Sequence, residues 1–168
     1  MLKYFKFFWK TLFVSVPYLP LYAKKPHSLA FKKYGIRIVA VTHDSRQEED
    51  LCNGAYNALI LLEQYDGEMF DRVKRYTRII CLSPTNGNAG CAPTFGLYFI
   101  SALRFPAGYP KEKLPVTIAG FLVWQATLAK LKGYMAQYDK SKGDAKLEIC
   151  RKRYLLTMQK LEQALCKS

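Results

Sequence analysis

The sequence is poor in histidine: only His27 and His43 occur in 168 residues, which leaves few imidazoles for any metal centre. It has no C-x-x-C pair, although cysteines stand at 52, 81, 91, 150 and 166. Clustered thiolate ligation of zinc is therefore disfavoured. An odd number of cysteines cannot pair completely within one chain. Scattered among apolar neighbours, they read as small buried hydrophobes, and a bridge involving Cys81 and Cys91 stays open. The glycine-containing stretch 83–95 lacks the Gly-Lys-Ser/Thr ending that a phosphate loop needs. No nucleophile-elbow motif is present. His43-Asp44 with Ser83 or Cys81 is the one conceivable nucleophile set, and nothing in the sequence brings them together. Internal repeats are absent too. Finally, residues 1–40 hold no acidic side chain.

What is present is apolar. Half of the residues are hydrophobic, enough to offset the ordering entropy that keeps polar chains unfolded. A chain of this length fits one domain. The net charge of +13 is unevenly spread. Residues 1–40 carry eight Lys/Arg, residues 41–129 eight basic against nine acidic side chains, and residues 130–168 ten against four. The positive charge thus sits at the two ends. A nucleic-acid binder places basic residues beside aromatics on a folded face. Here the densest mixture of that kind is Lys3 to Lys10, which suits an anionic membrane surface better. Nucleic acid is therefore disfavoured as a partner.

The N-terminus reads as a leader. Residues 11–23 carry no charge and are closed by Lys24 and Lys25. A basic start, an apolar run and Ala23 resemble a secretory signal, but Leu21 spoils the small-x-small cleavage pattern. A spanning helix needs about 20 apolar residues, and Pro17 and Pro20 interrupt this run. An aromatic-rich helix lying in the interface is the third option. The expectation is residues 1–35 as a membrane-seeking leader, retained rather than cleaved, touching the membrane through residues 1–23. Residues 36–168 then form the folded body, and the protein is membrane-associated.

Along the body, Ile36 to Val41 is a β-branched strand candidate. Ser45 with Glu48 fits a capping box, and apolar residues at helical spacing carry a helix to about Tyr65. Met69 to Thr77 suggests a second, shorter helix, and Arg78 to Leu82 a strand. Residues 83–95 read as a loop with a tight turn at Asn86-Gly87, a hairpin connection to a strand at Gly96–Ser101. Pro115 suits a helix's first turn, and helical spacing then runs through Phe121, Trp124, Leu128 and Leu131 to a stop at Gly133. Asp144 opens a final helix with Leu147, Cys150, Tyr154, Met158, Leu161 and Leu165 on one face.

The stretch 121–131, Phe-Leu-Val-Trp-Gln-Ala-Thr-Leu-Ala-Lys-Leu, carries the strongest functional signal. It resembles the active helix of bacterial zincin-like metallopeptidase domains, Leu-Val-His-Glu-Ala-Thr-His-Ala-Arg/Lys-Leu. Leu122, Val123, Ala126, Thr127, Ala129, Lys130 and Leu131 are in register. In that family two histidines four residues apart lie on one helix face and grip zinc, and the glutamate between them acts as general base on the metal-bound water. Here Trp124 and Leu128 replace the histidines and Gln125 replaces the glutamate. A neutral amide does not take a proton from water at neutral pH. The family's third ligand, a glutamate in an Arg-Ile-Glu-x-x-Cys-like setting on the next helix, is matched by Glu148 in Lys146-Leu147-Glu148-Ile149-Cys150. The resemblance covers roughly residues 45–166.

The resemblance implies an α+β fold: a zincin-like domain with a short, antiparallel or mixed sheet packed on helices. It implies degenerate metal-site positions at Trp124, Gln125, Leu128 and Glu148, no catalytic residue, no metal and no cofactor. The function it implies is a non-catalytic metallopeptidase-like domain that binds a peptide or protein partner along a sheet edge. Two alternatives are a membrane-surface or structural protein using its basic ends, and a metallopeptidase with an altered site built from His43, Glu148 and a cysteine.

Overall fold

The computed structural model describes residues 25–42, 44–83, 89–92, 96–106, 108–131 and 140–165. The expected contact of residues 1–23 with a membrane lies outside the described residues, as does His43. Among the described residues no helix is long and apolar enough to cross a membrane.

The first element is α1, Ser28–Tyr34. His27 caps it, its Nδ1 accepting from the Ala30 N–H. Ala30 and Tyr34 are buried in the main core, so residues 28–35, grouped with the leader on sequence grounds, pack with the body. Strand β1 follows at Arg37–Ala40. Helix α2 spans Ser45–Tyr65. Its cap is Asp44, one residue earlier than the capping-box reading: the Asp44 carboxylate accepts from the Arg46 N–H at 2.9 Å. Glu48 instead reaches back to the Thr42 N–H at 2.8 Å, an anion placed near the positive helix end. Helix α3 spans Gly67–Tyr76.

Strands β2 (Ile79–Ser83), β3 (Ala89–Ala92) and β4 (Leu97–Ser101) complete a four-stranded sheet of order β1-β2-β4-β3. β1, β2 and β4 are parallel, and β3 runs antiparallel to β4 at the edge. The sheet is therefore mixed, and the fold is broadly α+β. The hairpin expected between residues 82 and 96 is corrected, because β2 and β4 are parallel and a tight turn cannot join parallel neighbours. The backbone runs back along β4 as β3 before entering it.

Side-chain alternation sorts the sheet's two faces. Ile38, Ala40, Ile80, Leu82, Tyr98 and Ile100 join the helices in the main core, while Val39, Ile79, Cys81 and Leu97 cluster separately. β2 is buried along its whole length, which explains its uninterrupted apolar run. Gly96 has φ +61°, and a Cβ there would lie 2.7 Å from Arg78 Cγ. Its carbonyl accepts from the N–H groups of Arg78 and Ile79, which pins the entry to β4.

Helix α4 spans Leu114–Lys130 with Pro115 in its first turn. It packs on α2, α3 and the last helix, α5, Lys140–Leu165. α5 begins four residues before the expected Asp144. Gly120 lets α4 and α5 approach closely. A Cβ there would stand 2.7 Å from Tyr154 Cε2 and 3.2 Å from Met158 Sδ, which accounts for a glycine in mid-helix that costs about 1 kcal/mol relative to alanine.

Candidate functional site

Helix α4 divides its residues sharply. Leu122, Val123, Ala126 and Ala129 are fully or almost fully buried. Thr127 is also buried, its hydroxyl returned to the Val123 carbonyl at 2.8 Å. These five are among the positions in register with the zinc-peptidase frame; of the other two, Lys130 is exposed and Leu131 is half-buried. Trp124 and Leu128 are only half-buried, so both turn away from the core on one side of the helix.

Beside Trp124 lies an open groove of about 560 Å³ between α4 and α5. Gly120, Phe121, Trp124 and Gln125 line it from α4, and Arg151, Tyr154 and Leu155 from α5. Arg104, from the short 3-10 turn Ala102–Arg104 that follows β4, and Thr117 also line it. The Trp124 and Tyr154 rings meet edge to face, centroids 6.4 Å apart at 78°, the geometry favoured by their quadrupoles. The Arg104 guanidinium lies over the Phe121 ring, 5.0 Å from its centroid, a cation–π contact that orients its charge. Gln125 is 5% exposed, and among the described residues its amide has no hydrogen-bond partner.

The four sequence-predicted site positions divide. Trp124 and Gln125 share the groove. Leu128, one turn further on, lines neither this groove nor the smaller one of about 390 Å³ on the other side of α5, formed by Arg72, Thr127, Lys130, Leu131, Ile149, Lys152, Arg153 and Leu156. Glu148 is not brought to them. It is two residues before the buried Cys150, about 200° around α5, on the side that faces solvent. Its carboxylate is half exposed and 3.8 Å from Lys152 Nζ. The expected third-ligand position thus stands half exposed beside Lys152. The core face of α5 is set by Cys150, Thr157 and Leu161, and that rotation carries residue 148 outward. Among the described residues no group of three or more His, Cys, Asp or Glu side chains is placed to hold a metal ion.

Sequence reasoning passed over Arg104, Phe121, Arg151, Tyr154 and Leu155 as site residues. Part of the signal was legible: Phe121 and Trp124 are three apart, as are Arg151 and Tyr154, so each pair shares a helix face. Nothing in the sequence set the two faces opposite each other.

Ionic contacts tie the remaining elements together. Glu63 accepts from Lys33 at 2.8 Å and from the Tyr34 hydroxyl at 2.7 Å. These bonds hold its carboxyl below the usual range and raise Lys33, while burial foremost raises the Tyr34 phenol. Glu68 bridges Arg153 of α5 and Arg72 of its own helix, and Arg153 is the main cause of its lowered pKa. These are surface clamps and not a reactive cluster. Compared with known proteins, the sequence and its fold match no family model, no curated protein and no solved structure.

Proposed function

We propose that this protein is a non-catalytic, metallopeptidase-like domain that binds a peptide or protein partner at a membrane surface. The observation that carries the reading is the groove beside Trp124 and Gln125. Five of the seven frame residues (Leu122, Val123, Ala126, Thr127 and Ala129) are core, while Trp124 and Gln125, at the positions where a zinc peptidase would hold a ligand and a base, line a cleft. Trp124 and Gln125 supply neither a metal ligand of useful strength nor a proton acceptor, so the cleft has the shape for binding without the chemistry for hydrolysis. The sheet order adds support. β3 is an antiparallel edge strand that precedes β4 and contacts α4, the kind of edge to which an extended peptide adds as a further strand. Leu29 and Phe31, 56% and 48% exposed beside Lys32 and Lys33, favour the membrane-surface setting.

The test is an array of random dodecapeptides probed with the full-length protein, with and without one equivalent of zinc. A subset of peptides should be retained, the retained set should change in Trp124→Ala, and no peptide should be cleaved. Cleavage in the presence of zinc, or an identical profile for the variant, refutes the reading.

A further inference from the structure

The groove beside Trp124 has a definite electrostatic character. Arg104 and Arg151 both line it, from different elements, and among the described residues neither has a carboxylate partner. Among the described residues no acidic side chain lines the groove. The nearest acid along α5 is Glu148, and it pairs outward with Lys152. Two guanidiniums lining one groove repel each other, and an anion placed between them relieves that repulsion through charge-assisted hydrogen bonds. The rest of the lining is largely apolar: Phe121, Trp124, Tyr154 and Leu155. Leu155 is 58% exposed, an uncovered apolar side chain at the rim. Gln125 supplies the second observation. Its amide lines the groove, is unbonded among the described residues, and offers a paired donor and acceptor, as a backbone peptide group requires.

We propose that this groove takes a peptide carboxylate flanked by an apolar side chain. Arg104 and Arg151 hold the anion, Gln125 bonds the adjoining peptide unit, and Trp124 with Leu155 covers the apolar side chain. The proposal rests on the peptide-binding reading above and adds the chemistry of the ligand. The carboxylate comes either from a peptide's free C-terminus or from a Glu or Asp side chain, and the two present the same anion to the guanidiniums.

The experiment uses the full-length protein carrying Trp9→Phe, which leaves Trp124 as its one indole, and follows Trp124 fluorescence. Three probes are titrated: acetyl-Ala-Leu-Phe with a free C-terminus, its carboxamide, and acetyl-Ala-Glu-Leu-Phe-carboxamide. At least one carboxylate probe should bind about tenfold more tightly than the uncharged carboxamide, and the tighter of the two identifies the source of the anion. Arg104→Gln and Arg151→Gln should each weaken carboxylate binding by about fivefold, reduced from the value for a fully buried ion pair because both side chains are solvent-accessible, and leave carboxamide binding unchanged. Both positions are exposed, so thermal melts of these variants should match the parent. Equal binding of all three probes, or unchanged carboxylate binding in both arginine variants, overturns the carboxylate proposal and leaves peptide binding standing. If no probe perturbs Trp124, both readings fall. Vesicles containing phosphatidylserine form the last arm. If they displace the peptides, and lose that ability in the arginine variants, the anion is a lipid headgroup and the peptide proposal is overturned.

Discussion

The Thr157 hydroxyl on α5 donates to Oδ2 of Asp66 at 2.8 Å, joining two elements 91 residues apart. Both residues are buried. Asp66 is the single residue between α2 and α3. Its N–H closes the first helix on the Leu62 carbonyl, and its own carbonyl accepts from Phe70 in the second. The side chain is thus free to reach across to α5, where Lys160 Nζ also donates to Oδ1 at 2.9 Å. A helix corner and the last helix are fixed by one carboxylate.

Removing that carboxylate leaves Thr157 with a buried, unpaired hydroxyl and Lys160 without its anion. Breaking a buried ion pair costs about 3–5 kcal/mol. Lys160 is 40% exposed and can recover water, which lowers the expected loss. Asp66→Ala should destabilise the protein by about 2–4 kcal/mol and Thr157→Val by about 1–2 kcal/mol. Urea denaturation of both single variants and the double variant measures the coupling. A coupling energy near zero shows that the contact contributes nothing to stability.

Cys150 faces the core from α5 and is completely buried. Burial pushes its thiol up to about 11 from 9.0, against a smaller opposing effect of the Arg72 guanidinium. The reactive species is the thiolate, so this thiol should resist an aromatic disulfide reagent at pH 8 in the native state and react only as the protein unfolds. The sign of the pH effect follows. Between about 9 and 11 the unfolded state has released this proton and the folded state still holds it. The unfolded state then binds fewer protons, and stability falls as pH rises through that window. Below pH 9 this thiol makes stability neither rise nor fall. Denaturation curves at pH 8 and pH 10 should show a drop that shrinks in Cys150→Ala. An equal drop in that variant rules the thiol out as its source.

The elements were largely legible because periodicity survives burial. Ile79-Ile80-Cys81-Leu82 announced a central strand, and the 3.6-residue spacing of α2 and α4 announced helices. β3 was not legible. Ala-Gly-Cys-Ala carries none of the β-branched or aromatic character that marks strands, and its pairing with β4 comes from the sheet and not from the segment. The start of α5 was missed for a related reason. Lys140 to Gly143 is polar and contains glycine, and the helix continues through it regardless. Of the groove's lining, Trp124 and Gln125 stood out in the sequence against the matching frame. The rotation of α5 was not legible, because Leu147, Ile149, Leu155 and Leu156 are apolar yet 42–58% exposed. That blurs the stripe from which a buried face is read, while the polar Thr157 occupies it.

That rotation decides what a restored metal helix would do. In Trp124→His, Gln125→Glu, Leu128→His, the two imidazoles stand four residues apart on one face and should bind one zinc ion. Glu148 projects to solvent from the opposite side of α5, so it should contribute nothing. Adding Glu148→Gln to the triple variant should leave zinc affinity within about twofold, whereas loss of a working ligand or of its support costs about 10–100-fold. Replacing the half-buried indole also costs about 1–2 kcal/mol of stability, so circular dichroism should accompany the titration. A competition assay with a chromophoric zinc chelator reads the affinities directly. A tenfold or greater loss on removing the Glu148 carboxylate establishes that this side chain reaches the helix face at 124 and 128, and the outward orientation described for it is then wrong.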